Sequence, residues 1–191
     1  QPSVRSVTAL ASTSDVRVAI TGLTSRGGAS RVRGFLAPGG GNLTLTVTGS
    51  TLRGDSQHSG LEFTSSTSPG SYGSMTGQFD RNTIIQGAAD LYCAPAISAL
   101  ALSARMQVDI TRNDVRFSQL GQCAAVQLYS SAGSLPLAGT LRANLLRGSG
   151  GASAGIVLRV AGTSGSTLRA AVVNNLVASA DAESGLELLA D

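Results

Sequence analysis

The stretch that decides the fold is residues 100–111, LALSARMQVDIT, in which apolar and polar side chains alternate. One face would carry Leu100, Leu102, Ala104, Met106, Val108 and Ile110, and the other Ala101, Ser103, Arg105, Gln107, Asp109 and Thr111. Successive side chains of a β-strand point to opposite faces of its sheet, so the run predicts one long, half-buried strand.

Shorter runs of the same kind occur along the whole chain. Residues 15–21 and 42–48 alternate strictly, and further candidate strands lie at residues 4–10, 31–36, 61–64, 84–86, 115–120, 124–129, 140–146, 156–160 and 167–173. Clusters rich in Gly, Ser, Asn and Pro separate them and predict turns. The pattern favours an all-β protein with one wet side to each sheet, an antiparallel β-sandwich or jelly-roll-like fold. We expect a single domain over residues 1–191, with at most a short helix.

Two segments are ambiguous in this scheme. Residues 95–106 are rich in alanine and begin with Pro95, which is typical of a helix start, but the alternation from Leu100 favours a strand. Near the C-terminus, apolar residues recur at helical spacing until Asn174 and Asn175 interrupt them. We predict a short helix or an irregular strand there.

An internal echo is visible in short tetrapeptides. The motif GGAS occurs at residues 27–30 and 150–153, and STLR follows at residues 50–53 and 166–169. The spacings between the paired motifs are unequal, and such matches arise easily in a chain rich in Gly, Ser and Thr. Because we find no fixed period, the sequence does not predict a regular solenoid.

Composition points to an exported protein. All fourteen basic residues are arginine, the net charge is only +3, and no apolar stretch is long enough for a transmembrane helix. The chain begins Gln1-Pro2-Ser3, as a mature N-terminus does after a leader is removed, although a trimmed chain looks the same. We therefore expect an extracellular or cell-surface location.

The two cysteines, Cys93 and Cys123, are too few for a zinc site and are predicted to form one disulfide. The alternative is a pair of buried thiols. In a three-strand meander the two residues would flank a central strand, with Cα atoms about 10 Å apart, whereas a disulfide requires about 7 Å or less. The disulfide therefore predicts that the segment holding Cys93 crosses to a facing sheet or runs over the sheet edge.

Catalytic residue types are scarce. Asp55, Ser56 and His58 occur in one polar turn, but a serine nucleophile needs a base and an orienting group that the fold brings together, which this spacing does not provide. The same turn contains Arg53-Gly54-Asp55, a tripeptide that some adhesive proteins display. The remaining candidate carboxylates, Asp80, Asp90, Asp109 and Asp114, are scattered, and we assign no catalytic, cofactor or metal residue.

Arginines occupy the polar faces of several predicted strands, namely Arg17, Arg33, Arg105, Arg116 and Arg159. These faces either are solvated or meet acidic groups of a neighbouring subunit or of a polyanionic envelope polymer. The chain has no tryptophan and three isolated tyrosines, Tyr72, Tyr92 and Tyr129, so stacking platforms for sugars or single-stranded nucleic acids are not predicted.

These observations predict a non-enzymatic, exported structural protein, the subunit of an extracellular filament, pilus-like fibre or surface layer. Its partners would be further copies or other envelope proteins, with no specific nucleic acid and no membrane span. Residues 1–12 would form an extended strand, pairing within the subunit or with a neighbour. The alternative is a secreted β-sandwich that binds a polysaccharide, a lipid or a partner protein through the loops at residues 38–42 and 65–73.

Overall fold

The structure is a computed structural model that describes residues 5–25, 29–55, 57–68, 70, 72–87, 94–118, 124–131, 135–149, 155–161, 165–179 and 185–190. These residues form β-strands and no helix, so the all-β prediction is confirmed. In chain order the strands are β1 (Arg5–Ala11), β2 (Val16–Thr21), β3 (Ser30–Leu36), β4 (Leu43–Thr48), β5 (Thr51–Gly54), β6 (Leu61–Ser65), β7 (Ser74–Asp80), β8 (Thr83–Gln86), β9 (Ile97–Ala101), β10 (Arg105–Thr111), β11 (Asp114–Ser118), β12 (Val126–Ser130), β13 (Leu137–Arg142), β14 (Leu145–Ser149), β15 (Ile156–Val160), β16 (Leu168–Val173), β17 (Leu176–Ser179) and β18 (Leu186–Ala190).

The strands stack in three parallel columns. Sheet 1 contains β2, β4, β7, β10, β13 and β16. The other strands form one continuous sheet with two arms: sheet 2 (β5, β8, β11, β14 and β17) and sheet 3 (β1, β3, β6, β9, β12, β15 and β18). A single antiparallel bridge between Ser30 and Arg53 joins these two arms.

From β4 onward the chain visits sheet 1, sheet 2 and sheet 3 in turn, and each such coil stacks on the preceding one. From β7 onward the register in sheet 1 advances by 31 residues per coil, pairing Met75 with Met106, Met106 with Leu137 and Leu137 with Leu168. The molecule is therefore a β-solenoid of stacked coils.

The prediction of an antiparallel sandwich or jelly roll is wrong, because every strand pair except β3–β5 is parallel. The alternation of apolar and polar side chains is present in these strands, but it does not distinguish a sandwich from a solenoid. In a solenoid, each strand has one face toward the closed interior and one toward solvent, which produces the same period-two alternation as an antiparallel sheet.

Residues 100–111 are not one strand. Leu100 belongs to β9 in sheet 3, Arg105 begins β10 in sheet 1, and the corner between them follows at residues 102–104. The corner shifts the alternation, so that Ala101 is buried and Leu100 is half-buried on the outer side. Within β10 the predicted faces are confirmed, since Met106, Val108 and Ile110 are buried.

The interior is filled by size complementarity between coils. Phe63 of sheet 3 packs edge-on against Phe79 of sheet 1, with ring centroids 5.7 Å apart. A Cβ at Gly34 would lie 2.5 Å from the Phe63 ring, and one at Gly77 would lie 3.1 Å from it. The two glycines therefore provide the space for this aromatic pair.

The corner between sheets 1 and 2 repeats in every coil. Its first residue is left-handed, with φ between 53° and 66°, at Gly22, Gly49, Arg81, Arg112, Ala143 and Asn174. The next residue is asparagine in the last four coils, at Asn82, Asn113, Asn144 and Asn175. This two-residue corner replaces the short helix or irregular strand expected near Asn174, because Asn174-Asn175 separates β16 from β17.

The asparagines form a ladder of hydrogen bonds through the stack. The Asn113 Oδ1 atom accepts from the Asn82 backbone N–H at 2.9 Å and from Asn82 Nδ2 at 3.0 Å. The Asn113 Nδ2 group donates to the Phe79 carbonyl at 2.9 Å and to Asn144 Oδ1 at 3.0 Å. Since Asn113 is only 1% exposed, these bonds satisfy amide groups that would otherwise be buried unpaired.

The ladder also corrects our interpretation of repeats. A period of 31 residues does exist, carried by the corner asparagines, and the tetrapeptide echo does not mark it. The first STLR motif includes Thr51 of β5 in sheet 2, whereas the second includes Leu168 of β16 in sheet 1, so the two copies are not equivalent.

We predict that Asn113→Ala lowers the free energy of unfolding by roughly 2–4 kcal/mol, since it leaves the Asn82 amide and the Phe79 carbonyl unsatisfied in the interior. Urea titration measures the loss. The matched control is Asn175→Ala in the last coil, where the side chain is half-exposed and water replaces the lost bonds. Equal losses in the two variants would contradict a role for burial in the ladder.

We predict that Gly34→Val destabilises the protein by about 1–3 kcal/mol, because its side chain would overlap the Phe63 ring. The control is Gly49→Asn, at a left-handed corner with no atom within 4 Å of the added Cβ. Asparagine tolerates this conformation, so the change should stay within about 0.5 kcal/mol. Thermal unfolding of both variants checks the difference, and an unaffected Gly34→Val would show that the core is not closely packed at Phe63.

Candidate functional site

The outer face of sheet 1 is a regular array of polar side chains in three rows. The strand registers place Arg17, Thr44, Thr76, Gln107, Ala138 and Arg169 in the first row. The second row contains Ala19, Thr46, Gln78, Asp109, Thr140 and Ala171, and the third contains Thr21, Thr48, Asp80, Thr111, Arg142 and Val173. Neighbours along a row are about 4.8 Å apart, and neighbouring rows are about 6.6 Å apart.

A shallow depression of about 320 Å³ lies on this face over β10, β13 and β16. Its lining includes the small residues Ala138 and Ala171, with Gln107, Asp109, Thr140 and Arg169 around them. A carboxylate, an amide, a hydroxyl and a guanidinium therefore surround a floor of methyl groups. The strands that supply these groups are held in fixed register, so the site is preformed.

Beside the depression, Asp80 is neutralised by two arginines. Arg112 donates to both carboxylate oxygens at 2.8 Å, Arg81 Nε donates at 2.9 Å, and Thr111 Oγ1 donates at 2.8 Å. Burial opposes ionisation of this carboxyl, but the hydrogen bonds from Arg112, Thr111 and Arg81 outweigh it and lower the pKa of Asp80. The cluster connects β7 to the corner after β10 and is occupied by its own partners.

The turn that carries Asp55 and His58 is closed by internal hydrogen bonds. Asp55 Oδ1 accepts from the backbone N–H groups of Gln57 and His58 at 2.9 and 2.8 Å, and lies 3.0 Å from His58 Nδ1. Burial acts to raise the pKa of Asp55, and these hydrogen bonds more than offset it, so that the pKa is lowered. Gln86 Nε2 donates to the Asp55 and His58 carbonyls from below.

This arrangement favours a structural turn. Ser56 lies outside the described residues, so a contact between a serine and His58 is not part of the structure. Arg53 and Gly54 are the last residues of β5, and the Arg53-Gly54-Asp55 tripeptide therefore leaves a strand and does not stand at the tip of a turn.

The other predicted site residues are distributed over different faces. Asp114 pairs with Arg116 at 2.9 Å and with Arg147 at 3.4 Å on sheet 2, while Asp109 lies on sheet 1. Asp90 and Tyr92 fall outside the described residues, and so do Cys93 and Cys123. Within the part of the chain that the structure covers, no three or more His, Cys, Asp or Glu side chains form a group suited to a metal ion.

The disulfide stays a prediction, but the meander from which its position was argued does not exist. The strands that follow Cys93 and Cys123 in the chain are β9 and β12, which pair directly and in parallel within sheet 3. The strand that was expected to separate them, β10, belongs to sheet 1.

The predicted arginines divide among three faces. Arg33 and Arg159 lie on sheet 3, where Arg33 pairs with Glu62 at 3.1 Å and Arg159 lies over the Tyr129 ring. Arg17 and Arg105 face outward from sheet 1, and Arg116 from sheet 2.

Sequence reasoning missed Arg142 and Arg169 as members of the sheet 1 face. Their alternation with buried Leu141 and half-buried Leu168 was the available signal.

In the residues described, no helix is long and apolar enough to cross a membrane.

We predict that the Asp80 cluster stabilises the protein only above mildly acidic pH. Because the pKa of Asp80 is lower in the folded than in the unfolded chain, its contribution is present above the unfolded pKa of 3.8 and is lost as pH falls through the folded pKa. The stability difference between wild type and Asp80→Asn should therefore shrink as urea titrations move from pH 6 to pH 3. Arg112→Gln should reproduce the loss, whereas Arg105→Gln, from an arginine outside this cluster, should not.

Comparison of the chain with protein-family models, with curated protein sequences and with solved structures gave no match. No family is therefore assigned, and function must be inferred from the geometry of the solenoid.

Proposed function

We propose that this chain is a non-enzymatic, exported structural protein that assembles end to end into a filament or surface layer through its β-strand edges. The observation that carries the proposal is the distribution of exposed apolar side chains. Eight large apolar side chains in the described part are substantially exposed, and seven belong to the first or last strands of the stack: Val7, Leu10, Val173, Leu176, Leu186, Leu188 and Leu189. The eighth, Leu135, lies in a loop.

The last coil leaves interior positions open. Leu188 of β18 pairs with Leu158 of β15, which is 8% exposed, while Leu188 itself is 69% exposed. Leu176 at the start of β17 is 61% exposed. A further coil on this end would cover both side chains and would remove apolar surface from water.

The strand edges at both ends are unpaired on one side. Among the described residues, β16, β17 and β18 each pair only with the preceding coil, and β1 and β2 each pair only with the following one. Free strand edges present rows of N–H and C=O groups that can pair with another chain.

Charge favours a head-to-tail arrangement. Residues 1–29, which precede β3, contain three arginines and one carboxylate, whereas residues 168–191 contain one arginine and four carboxylates. Opposite ends of two copies therefore attract and like ends repel. After two copies associate head to tail, each end of the pair still presents a free binding surface. Association therefore continues into open filaments and does not stop at a closed dimer.

The proposal does not require residues 1–12 to be donated to a neighbour. The described part of this segment, β1, pairs in parallel with β3 of the same chain over its whole length. Assembly would instead use the outer edges of the end coils.

We predict that the average mass in solution exceeds 19.2 kDa and rises with protein concentration. Light scattering coupled to size exclusion measures it, and negative-stain microscopy shows whether the particles are linear. High salt should weaken the association, because the attraction between the two charged ends is screened.

The matched variants are Leu188→Ser and Leu135→Ser, which remove exposed leucines from the last coil and from a loop respectively. Only Leu188→Ser should reduce the average mass, and both should keep the far-ultraviolet circular dichroism of the parent. A monomeric parent at all concentrations, or equal effects of the two variants, would contradict end-to-end assembly.

A further inference from the structure

We infer that the depression on the outer face of sheet 1 is a binding site for an acidic saccharide, a chain of sugars that carries carboxylates. The site is formed by Gln107, Asp109, Thr140 and Arg169 around Ala138 and Ala171. This inference does not rest on end-to-end assembly, because the depression lies on the side of the solenoid and uses no residue exposed as an apolar group at its ends.

The first support is that the polar groups of the depression have no partners within the described chain. Five of the seven described carboxylates hold a hydrogen bond or an ion pair: Asp15, Asp55, Glu62, Asp80 and Asp114. Asp109 is half-buried yet has no such contact with any described residue, and the exposed side chains of Gln107 and Arg169 also have none. A half-buried carboxylate without a partner, beside an unpaired amide and an unpaired guanidinium on a rigid face, is available to a ligand.

The second support is the charge around the depression. Arg105 precedes Gln107 by two residues on β10, Arg142 follows Thr140 by two residues on β13, and Arg169 lies on β16. None of these three guanidinium groups pairs with a carboxylate in the described structure. The neighbouring Asp80 is already neutralised, so three free positive charges surround one free negative charge and favour an anionic ligand.

The third support is the spacing of the two charged groups. Asp109 and Arg169 are separated by two strands and one row, which places their Cα atoms about 12 Å apart. Ala138 and Thr140 of β13 lie between them. A ligand that spans these residues can pair an anionic group with Arg169 and donate hydroxyl groups to Asp109, the combination that a uronic acid unit carries.

The outer face of sheet 1 has no aromatic side chain, so neutral sugars cannot stack on it. Recognition must therefore depend on hydrogen bonds and charge. We expect binding to weaken with salt and to require the carboxylates of the saccharide.

The experiment is isothermal titration of the full chain with three probes of similar length: a hexuronic acid oligomer, a neutral glucose oligomer and inorganic polyphosphate. Binding of the uronic acid oligomer together with absence of binding by the neutral oligomer is the expected result. Arg169→Gln should weaken uronate binding by roughly tenfold or more. Arg116→Gln removes the same charge from sheet 2 and should leave binding unchanged, while unfolding midpoints show that both variants are folded.

Asp109→Asn separates a saccharide site from a simple positive patch. With the uronic acid oligomer this variant should bind more weakly, because a strong acceptor for sugar hydroxyl groups is lost. With polyphosphate, which has no hydroxyl donors in its chain, it should bind more tightly, because a repulsive charge is removed. Tighter binding of both anions, equal losses in Arg169→Gln and Arg116→Gln, or no binding of the uronic acid oligomer would overturn the inference. Each of these outcomes leaves end-to-end assembly untouched, since that is read from mass in solution.

Discussion

The hydrogen-bonded corner between sheets 1 and 2 is the constraint on which the rest of the structure depends. A left-handed residue turns the chain from sheet 1 into sheet 2 within two positions, and the buried amide that follows connects the coil before it to the coil after it. Because each asparagine amide has its partners in neighbouring coils, a shift of register by one residue would leave buried N–H and C=O groups unpaired. The ladder therefore fixes how the coils align, and with that it fixes which side chains share a row on every face.

The alternation of apolar and polar residues was enough to predict strands and their buried faces, because burial on one side alone determines it. Met106, Val108 and Ile110 were placed correctly for this reason. Alternation does not indicate whether strands pair in parallel or antiparallel. That depends on whether successive strands return beside each other or move to another side of a coil. The short corner at residues 102–104 is not marked by Gly or Pro, so two strands of different sheets resembled one.

The 31-residue period was present in the sequence but carried by few residues. The left-handed position is glycine, arginine, alanine or asparagine in different coils, and the interior positions tolerate any apolar side chain of suitable volume. Only the asparagines at 82, 113, 144 and 175 repeat in identity, since only their amides complete the ladder. The candidate site was beyond sequence reasoning for a related reason: Asp109 and Arg169 are 60 positions apart and meet on one face only once the register of β10, β13 and β16 is known.

The proposed end-to-end assembly and the proposed site on sheet 1 both depend on this division between fixed and variable positions. The corner and the interior hold the coils in register, so outward side chains along a row are free to vary without disturbing the fold. On the side of the stack, that freedom allows the alanines of β13 and β16 to lie beside charged residues and form a depression. At the ends, the same repetition leaves apolar positions without a covering coil, as the exposed Leu188 above buried Leu158 shows. The proposed polar contacts on the side and the proposed apolar contacts at the ends both follow from stacking coils of similar shape, and a ligand on sheet 1 would remain accessible in a filament formed through the ends.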